Sequence, residues 1–284
     1  METALDIVAG KEGMDRPGAF GIVRNMPEGP NRRRPEFLRW LALCLHLSVF
    51  LLPRAGQAGE WRVAPIRIDL GRDARSGVVT VFNESDGRLQ LQMKAFEWTQ
   101  DGDGKDRYEE TGDILFFPRI MIFDRKEERI LRVGIKAPPG AKEKAYRLFL
   151  EEIPEPSRAQ GANVAVAIRF GIPVFVKPVK EDARGETGNL TMSAGVVSAR
   201  VENRGNVHFT VKTVLFSGKN ARGEVIFTKE VPGWYLLAGA SRVYSADVPP
   251  ERCGEVAGID MDVKADRLSL RGNLVADPSM CAQR

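Results

Sequence analysis

From Trp61 onward the apolar residues recur at every second position, in short runs rich in Val, Ile, Phe and Thr that are broken by Gly, Asp and Asn. A period of two puts successive side chains on opposite faces of a strand, so this chain must build sheets rather than helices. The pattern predicts strands near 61–70, 76–83, 89–98, 118–123, 129–136, 145–153 and 163–176. Beyond a polar stretch at 177–188 it predicts others near 189–203, 207–217, 224–230, 241–247, 257–263 and 268–276. Short strands with turn signals every 8 to 12 residues, in two successive sets, imply an all-β chain of two immunoglobulin-like β-sandwiches in tandem. The expected division is 59–179 for the first sandwich and 180–284 for the second, behind a leader at 1–58 that is removed.

The leader follows from the segment Trp40 to Leu52, an apolar run preceded by Arg32, Arg33, Arg34 and Arg39 and followed by Pro53 and the small-residue stretch Ala55-Gly-Gln-Ala58. Basic region, apolar region and cleavage site in that order make a secretory signal, with cleavage expected after Ala58. The run falls short of the roughly 20 residues a bilayer core requires, so no membrane anchor is expected after cleavage. Residues 1–31 carry Glu2, Asp6, Glu12, Asp15 and Glu28 where a basic region belongs, which makes Met26 an alternative start.

Export changes how the remaining residues read. Cys44 leaves with the leader, and Cys253 and Cys281 form an even pair bound for an oxidising compartment, where one disulfide is expected. His46 also leaves, so His208 is the one imidazole that remains, which argues against a histidine triad or a multi-histidine metal site. No metal and no cofactor are expected. The formal charge of the whole chain is +4, about half of it in the leader, too small a field to imply a nucleic-acid partner. Asp101-Gly-Asp103-Gly-Lys-Asp106 looks like the start of a calcium loop, yet position 112 is Gly where a bidentate Glu is needed, and no helices flank it. It reads as a hairpin turn.

The last strand of the first set, Asn163 to Val176, carries Val164, Val166, Ile168 and Phe170 on one face and Ala165, Ala167 and Arg169 on the other. Two readings fit: the large face packs on the sandwich core, or the strand is an edge that offers apolar side chains and open backbone groups to another chain.

Five blocks then resemble, in order and spacing, the first domain of PapD-like periplasmic pilus chaperones: Trp61–Leu70, Ser76–Asn83, Phe117-Pro118 with Arg129–Val133, Tyr146–Pro154, and Ile172–Pro178. In the second half Ala199-Arg-Val-Glu-Asn203 is similar to the family's strand-then-Asn pattern. The resemblance implies two sandwiches in a boomerang and a periplasmic, non-enzymatic chaperone. It would cap pilin (fimbrial) subunits by strand addition and deliver them to an outer-membrane usher. It makes Val164, Val166, Ile168 and Phe170 the residues inserted into the subunit. It also implies a pair of cations for the subunit's C-terminal carboxylate. Arg67 matches the first; the position of the second is Pro173, which can bind no carboxylate, so Arg169 is favoured and Lys177 is the alternative. A buried inter-domain charge cluster is implied at Glu143, Lys177 and Asp262.

Two rival functions remain. An exported adhesion or carbohydrate-binding sandwich would work through loop tips instead of the strand at 163–176. An envelope hydrolase needs a nucleophile and base, and no such pair can be assembled from a chain with one imidazole and no free thiol.

Overall fold

The computed structural model describes residues 60–136, 138–154 and 167–281. The expected leader, and Val164 and Val166, lie outside them. The first sandwich contains β1 (Trp61–Ala64), β2 (Ile68–Leu70), β3 (Ser76–Asn83), β4 (Leu89–Gln100), β5 (Asp106–Glu110), β6 (Ile114–Phe117), β7 (Ile120–Phe123), β8 (Glu128–Ile135), β9 (Lys144–Glu152) and β10 (Arg169–Val176). One sheet has the order β1-β3-β8-β6, the other β2-β10-β9-β4-β5, with β7 also on β4. Every pair is antiparallel except β2 with β10. Val79, Val81 and Leu131 from one sheet meet Leu91, Leu148 and Val174 from the other in a single core, all fully buried. Each such side chain contributes about 1.5–3 kcal/mol by leaving water.

The second sandwich contains β11 (Gly185–Thr187), β12 (Thr191–Ser193), β13 (Val196–Asn203), β14 (Phe209–Lys219), β15 (Val225–Pro232), β16 (Tyr235–Leu236), β17 (Ser241–Asp247), β18 (Gly258–Ala265) and β19 (Ser269–Val275), with one short helix, α1 (Pro250–Cys253). Its core joins Val197 and Val201 on β13 to Phe216 on β14 and Met261 on β18. A third, smaller cluster, Trp98, Ala145, Phe175 and Leu237, lies where the two sandwiches meet.

Where prediction and structure differ, local chemistry explains it. The strand predicted over 61–70 is two strands in different sheets: buried Val63 sits at an odd position and buried Ile68 and Leu70 at even ones, and the slip falls at Pro65. The strand predicted over 189–203 is a tight hairpin, because Ala194 and Gly195 take positive φ between paired Ser193 and Val196. β5, with the sequence DRYEE, has no apolar alternation, since it is an exposed edge. β11 lies inside the stretch expected as a linker and pairs with β13.

Cys253 at the end of α1 is joined to Cys281 in a 3-10 turn at Pro278–Cys281. This bridge, with a sequence separation of 28, ties the end of the chain to the second sandwich. Closing such a loop stabilises by about 3 kcal/mol in the chain-entropy model. Thiol labelling of the denatured, unreduced exported protein should therefore find no free cysteine, and Cys281→Ser should lower urea-unfolding stability by about that amount. Two labelled thiols would contradict the bond.

The Asp101–Lys105 turn is a hairpin between β4 and β5, as expected, with Asp101 accepting from the Asp103 and Lys105 amides. It also braces the second sandwich: the Gly102 carbonyl accepts from Arg200 at 3.1 Å, and Gln100 bonds both the Tyr235 carbonyl and the Leu237 amide at 2.9 Å. Gly104 has φ +75° and lies so close to Ser241 that a Cβ would come within 2.6 Å of the Ser241 carbonyl oxygen. Gly104→Ala is thus expected to cost about 2 kcal/mol, part backbone strain and part displacement of the second sandwich. A melting temperature equal to that of the parent would mean the brace yields freely.

Candidate functional site

β10 has one edge that no described strand fills. The Glu152 amide donates to the Ile168 carbonyl on the β9 side, and the Lys177 amide donates to the Leu70 carbonyl on the β2 side. By antiparallel alternation, even positions of β10 face β9 and odd positions face the other way. There β2 reaches only Val174–Val176, so Arg169, Gly171 and Pro173 turn their backbone groups to an edge unpaired by any strand among the described residues. Pro173 has no amide hydrogen, and its place on this edge leaves the β9 ladder whole.

Side-chain direction reconciles the two readings of the strand. Ile172, Val174 and Val176 are buried in the first core, and Phe170 packs on it with its ring 6.3 Å from that of Trp61. Ile168, just before β10, continues the same face only half-buried. The apolar face is thus core from Phe170 onward and leaves the core at Ile168.

The cations expected at the carboxylate anchor are dispersed. Arg67 immediately precedes β2, and extending the parallel register by one residue sets it beside Pro173. Its guanidinium bonds both oxygens of Asp69 at 2.7–3.1 Å and its carbon lies 5.0 Å from the Phe175 ring centre. Arg169 lies four residues from Pro173, about 13 Å along the strand. It pairs with Glu151 at 2.8 Å and lies on the Phe149 ring at 3.7 Å. Lys177 follows β10 and pairs with Glu181 at 3.3 Å.

A cation the sequence reading missed stands opposite Pro173: Arg147, its cross-strand neighbour on β9. It is 7% exposed. One terminal nitrogen donates to the Gly171 carbonyl at 3.2 Å, the guanidinium carbon sits 3.9 Å from the Trp98 ring centre, and Nε has no partner. No carboxylate among the described residues pairs with it. Burying a cation this way costs several kcal/mol unless an anion arrives. Arg67 and Arg147 therefore flank Pro173 from its two neighbouring strands, around shared aromatic packing of Phe175, Trp98 and Tyr235. Arg147 sits inside a block already noted for its family likeness, but nothing in sequence announced that a second sandwich would bury it.

Glu143, Lys177 and Asp262 are not brought together. Glu143 is buried against His208: Oε1 lies 2.7 Å from Nδ1 and accepts the His208 amide at 2.8 Å, while the imidazole stacks on Phe175 at 3.6 Å. Lys177 belongs to a different group, in which Glu181 also receives Arg267 at 2.7 Å; Arg267 first, then Lys177, hold the Glu181 carboxyl below the usual range. Asp262 pairs with Arg271 on the exposed face of β18 and β19.

Two β-sandwiches thus meet at a cation-lined junction, and the first has a strand edge left open among the described residues. Residues 61–181 match the family described as Pili and flagellar-assembly chaperone, PapD N-terminal domain. Over that stretch, which is the first sandwich, the chain matches the PapD-like chaperones, a non-enzymatic class. A chain of the CsuC–CsuE chaperone–tip adhesion subunit pre-assembly complex, from archaic chaperone-usher Csu pili of Acinetobacter baumannii, is 17% identical, with a TM-score of 0.53 over 74% of this chain and 98% of that one. The YadV chaperone is 15% identical, with a TM-score of 0.52 over 76% and 99%. At these identities the likeness is one of fold. No curated protein sequence matches the chain. Among the described residues no helix is long and apolar enough to cross a membrane.

Proposed function

We propose that this protein is a periplasmic chaperone that captures a fimbrial subunit by lending it a strand, and then presents it to an outer-membrane usher. The observation that carries the reading is the open edge of β10 at Arg169–Pro173, flanked by Arg67 and Arg147. An incoming strand finds the amides of Arg169 and Gly171 and the carbonyls of that edge. Val164, Val166 and Ile168 enter the subunit's groove, and Phe170 marks where donor face becomes chaperone core. At about 3.3 Å per residue the three donor residues span roughly 13 Å, enough for three successive pockets.

The subunit's C-terminal carboxylate is received between Arg67 and Arg147. This assignment supersedes Arg169 and Lys177 as the second cation. Arg169 is four residues from the gap left by Pro173, and Lys177 is engaged with Glu181. Arg147 lies directly across from Pro173, its Nε has no partner, and no carboxylate among the described residues pairs with it. Arg67 changes partner in this scheme, leaving Asp69 for the subunit.

The test is capture from the exported fraction: the tagged chaperone should bring down a small β-rich exported protein, and removing that protein's terminal carboxylate by amidation should weaken binding at least tenfold. Retention of glycan with no protein would instead favour the adhesion reading.

A further inference from the structure

Beside the clamp stands a group of aromatic side chains that strand pairing does not use. Tyr108 on β5 and Trp234 just before β16 come from different sandwiches, and each is 40% exposed. One carboxylate fixes both: the Tyr108 hydroxyl and the Trp234 indole N–H donate to Asp106 Oδ2, at 3.2 and 2.9 Å. Each ring is also braced edge-on, Tyr108 against Phe149 at 5.4 Å and Trp234 against Tyr235 at 5.6 Å. The Arg147 guanidinium lies 5.9 Å from the Trp234 ring centre. It is also near enough to act on Tyr108: burial and Asp106 push that phenol up, and Arg147 draws it back.

Exposed rings that are immobile before anything binds lose little entropy when covered, so they make effective contact surface. Resting on the reading that Arg147 receives the C-terminal carboxylate, we infer that Tyr108 and Trp234 form a selective wall for the subunit's last side chain and favour an aromatic one. The neighbouring charges decide against the alternatives. A terminal Lys or Arg side chain would be repelled by Arg147, and Asp106, the acid bonded to both rings, already accepts from Gln100 at Oδ1 and from the two rings at Oδ2. A terminal alanine would leave both rings uncovered. Because the two rings belong to different sandwiches, the wall exists only while the sandwiches stay together.

The probes are N-acetyl-phenylalanine, N-acetyl-alanine, N-acetyl-lysine and N-acetyl-phenylalanine amide, titrated to tens of millimolar into isotopically labelled protein. Nuclear magnetic resonance would follow the Arg147 Nε–H and Trp234 indole N–H signals. The phenylalanine acid is expected to bind at least fivefold more tightly than the alanine and lysine acids and to shift both signals. In Tyr108→Ala, on an exposed edge strand, and in Trp234→Phe, which keeps a ring but loses the bond to Asp106, that preference should fall below twofold while the Arg147 signal still responds. If the three acids bind alike and the amide does not bind, the wall is refuted and the clamp stands. If no acid moves the Arg147 signal, or the amide moves it equally, the clamp fails and the wall with it.

Discussion

Ile168→Asp is expected to give a folded protein that no longer retains its subunit, whereas Phe170→Asp, two residues along the same face, is expected to unfold the first sandwich. The two differ only in where the chaperone's own core stops. Phe170 is also only partly buried, but its ring packs on that core against Trp61, so an Asp there loses that packing and sets an unpartnered, partly desolvated acid against the core, at a cost of about 3–5 kcal/mol, a large part of a domain's stability. Ile168 precedes β10 and is half-buried, so an Asp there stays hydrated in the free chaperone. In the complex the same carboxylate would enter an apolar pocket. Losing the isoleucine contact costs about 1.5–3 kcal/mol and burying the unpaired acid at least as much again, so capture should fall by two to four decades. Circular dichroism and melting curves report the fold, and co-purification reports capture. An unfolded Ile168→Asp protein would show that the core extends past Phe170 and would remove the donor-strand reading.

Alternation exposed most of the fold before any coordinates, because a half-buried strand writes its burial directly into sequence. β3, β4, β8 and β9 fall close to their expected spans; β3 and β8 carry a clean apolar stripe, β4 keeps its stripe as far as Ala95 and changes phase at Trp98, and β9 is buried on both faces from Ala145 to Leu148. The pattern failed where the stripe is absent or broken: β5 is polar throughout, and the slip at Pro65 hid a change of sheet inside one apparent strand. The site was legible only on its strand side. Donor-face residues share a period and could be named, but the positions of charges depend on which strands become neighbours. Pro173 removed the cation expected on β10, and the pairing of β10 with β9 sets another beside the gap. Likewise Glu143, expected in a charge cluster with Lys177 and Asp262, is buried with His208, sixty-five residues away and known from sequence only as the last imidazole.

Arg147→Met should separate a functional cation from a structural one, because the two roles predict opposite signs for stability. Methionine keeps the length and apolar stem of the arginine, and it removes a buried charge that has no described carboxylate partner and an Nε with no acceptor. The lost bond to the Gly171 carbonyl contributes about 1 kcal/mol, while desolvating an unpaired guanidinium costs several, so the melting temperature should hold or rise. Subunit capture should instead fall about thirtyfold to several thousandfold, the range for removing one partner of a buried charge pair. Arg67→Ala is the control on the other side of Pro173. Its pair with Asp69 is about one-third exposed at either end and contributes at most about 1 kcal/mol to stability, but its loss should still weaken capture at least tenfold. Asp69→Ala should work in the opposite direction, since it frees Arg67 from the carboxylate that competes with the subunit's own. If Arg147→Met melts lower and captures normally, the arginine is a structural cation held by Trp98 and Gly171, and the second half of the clamp must be sought at Arg169 or Lys177.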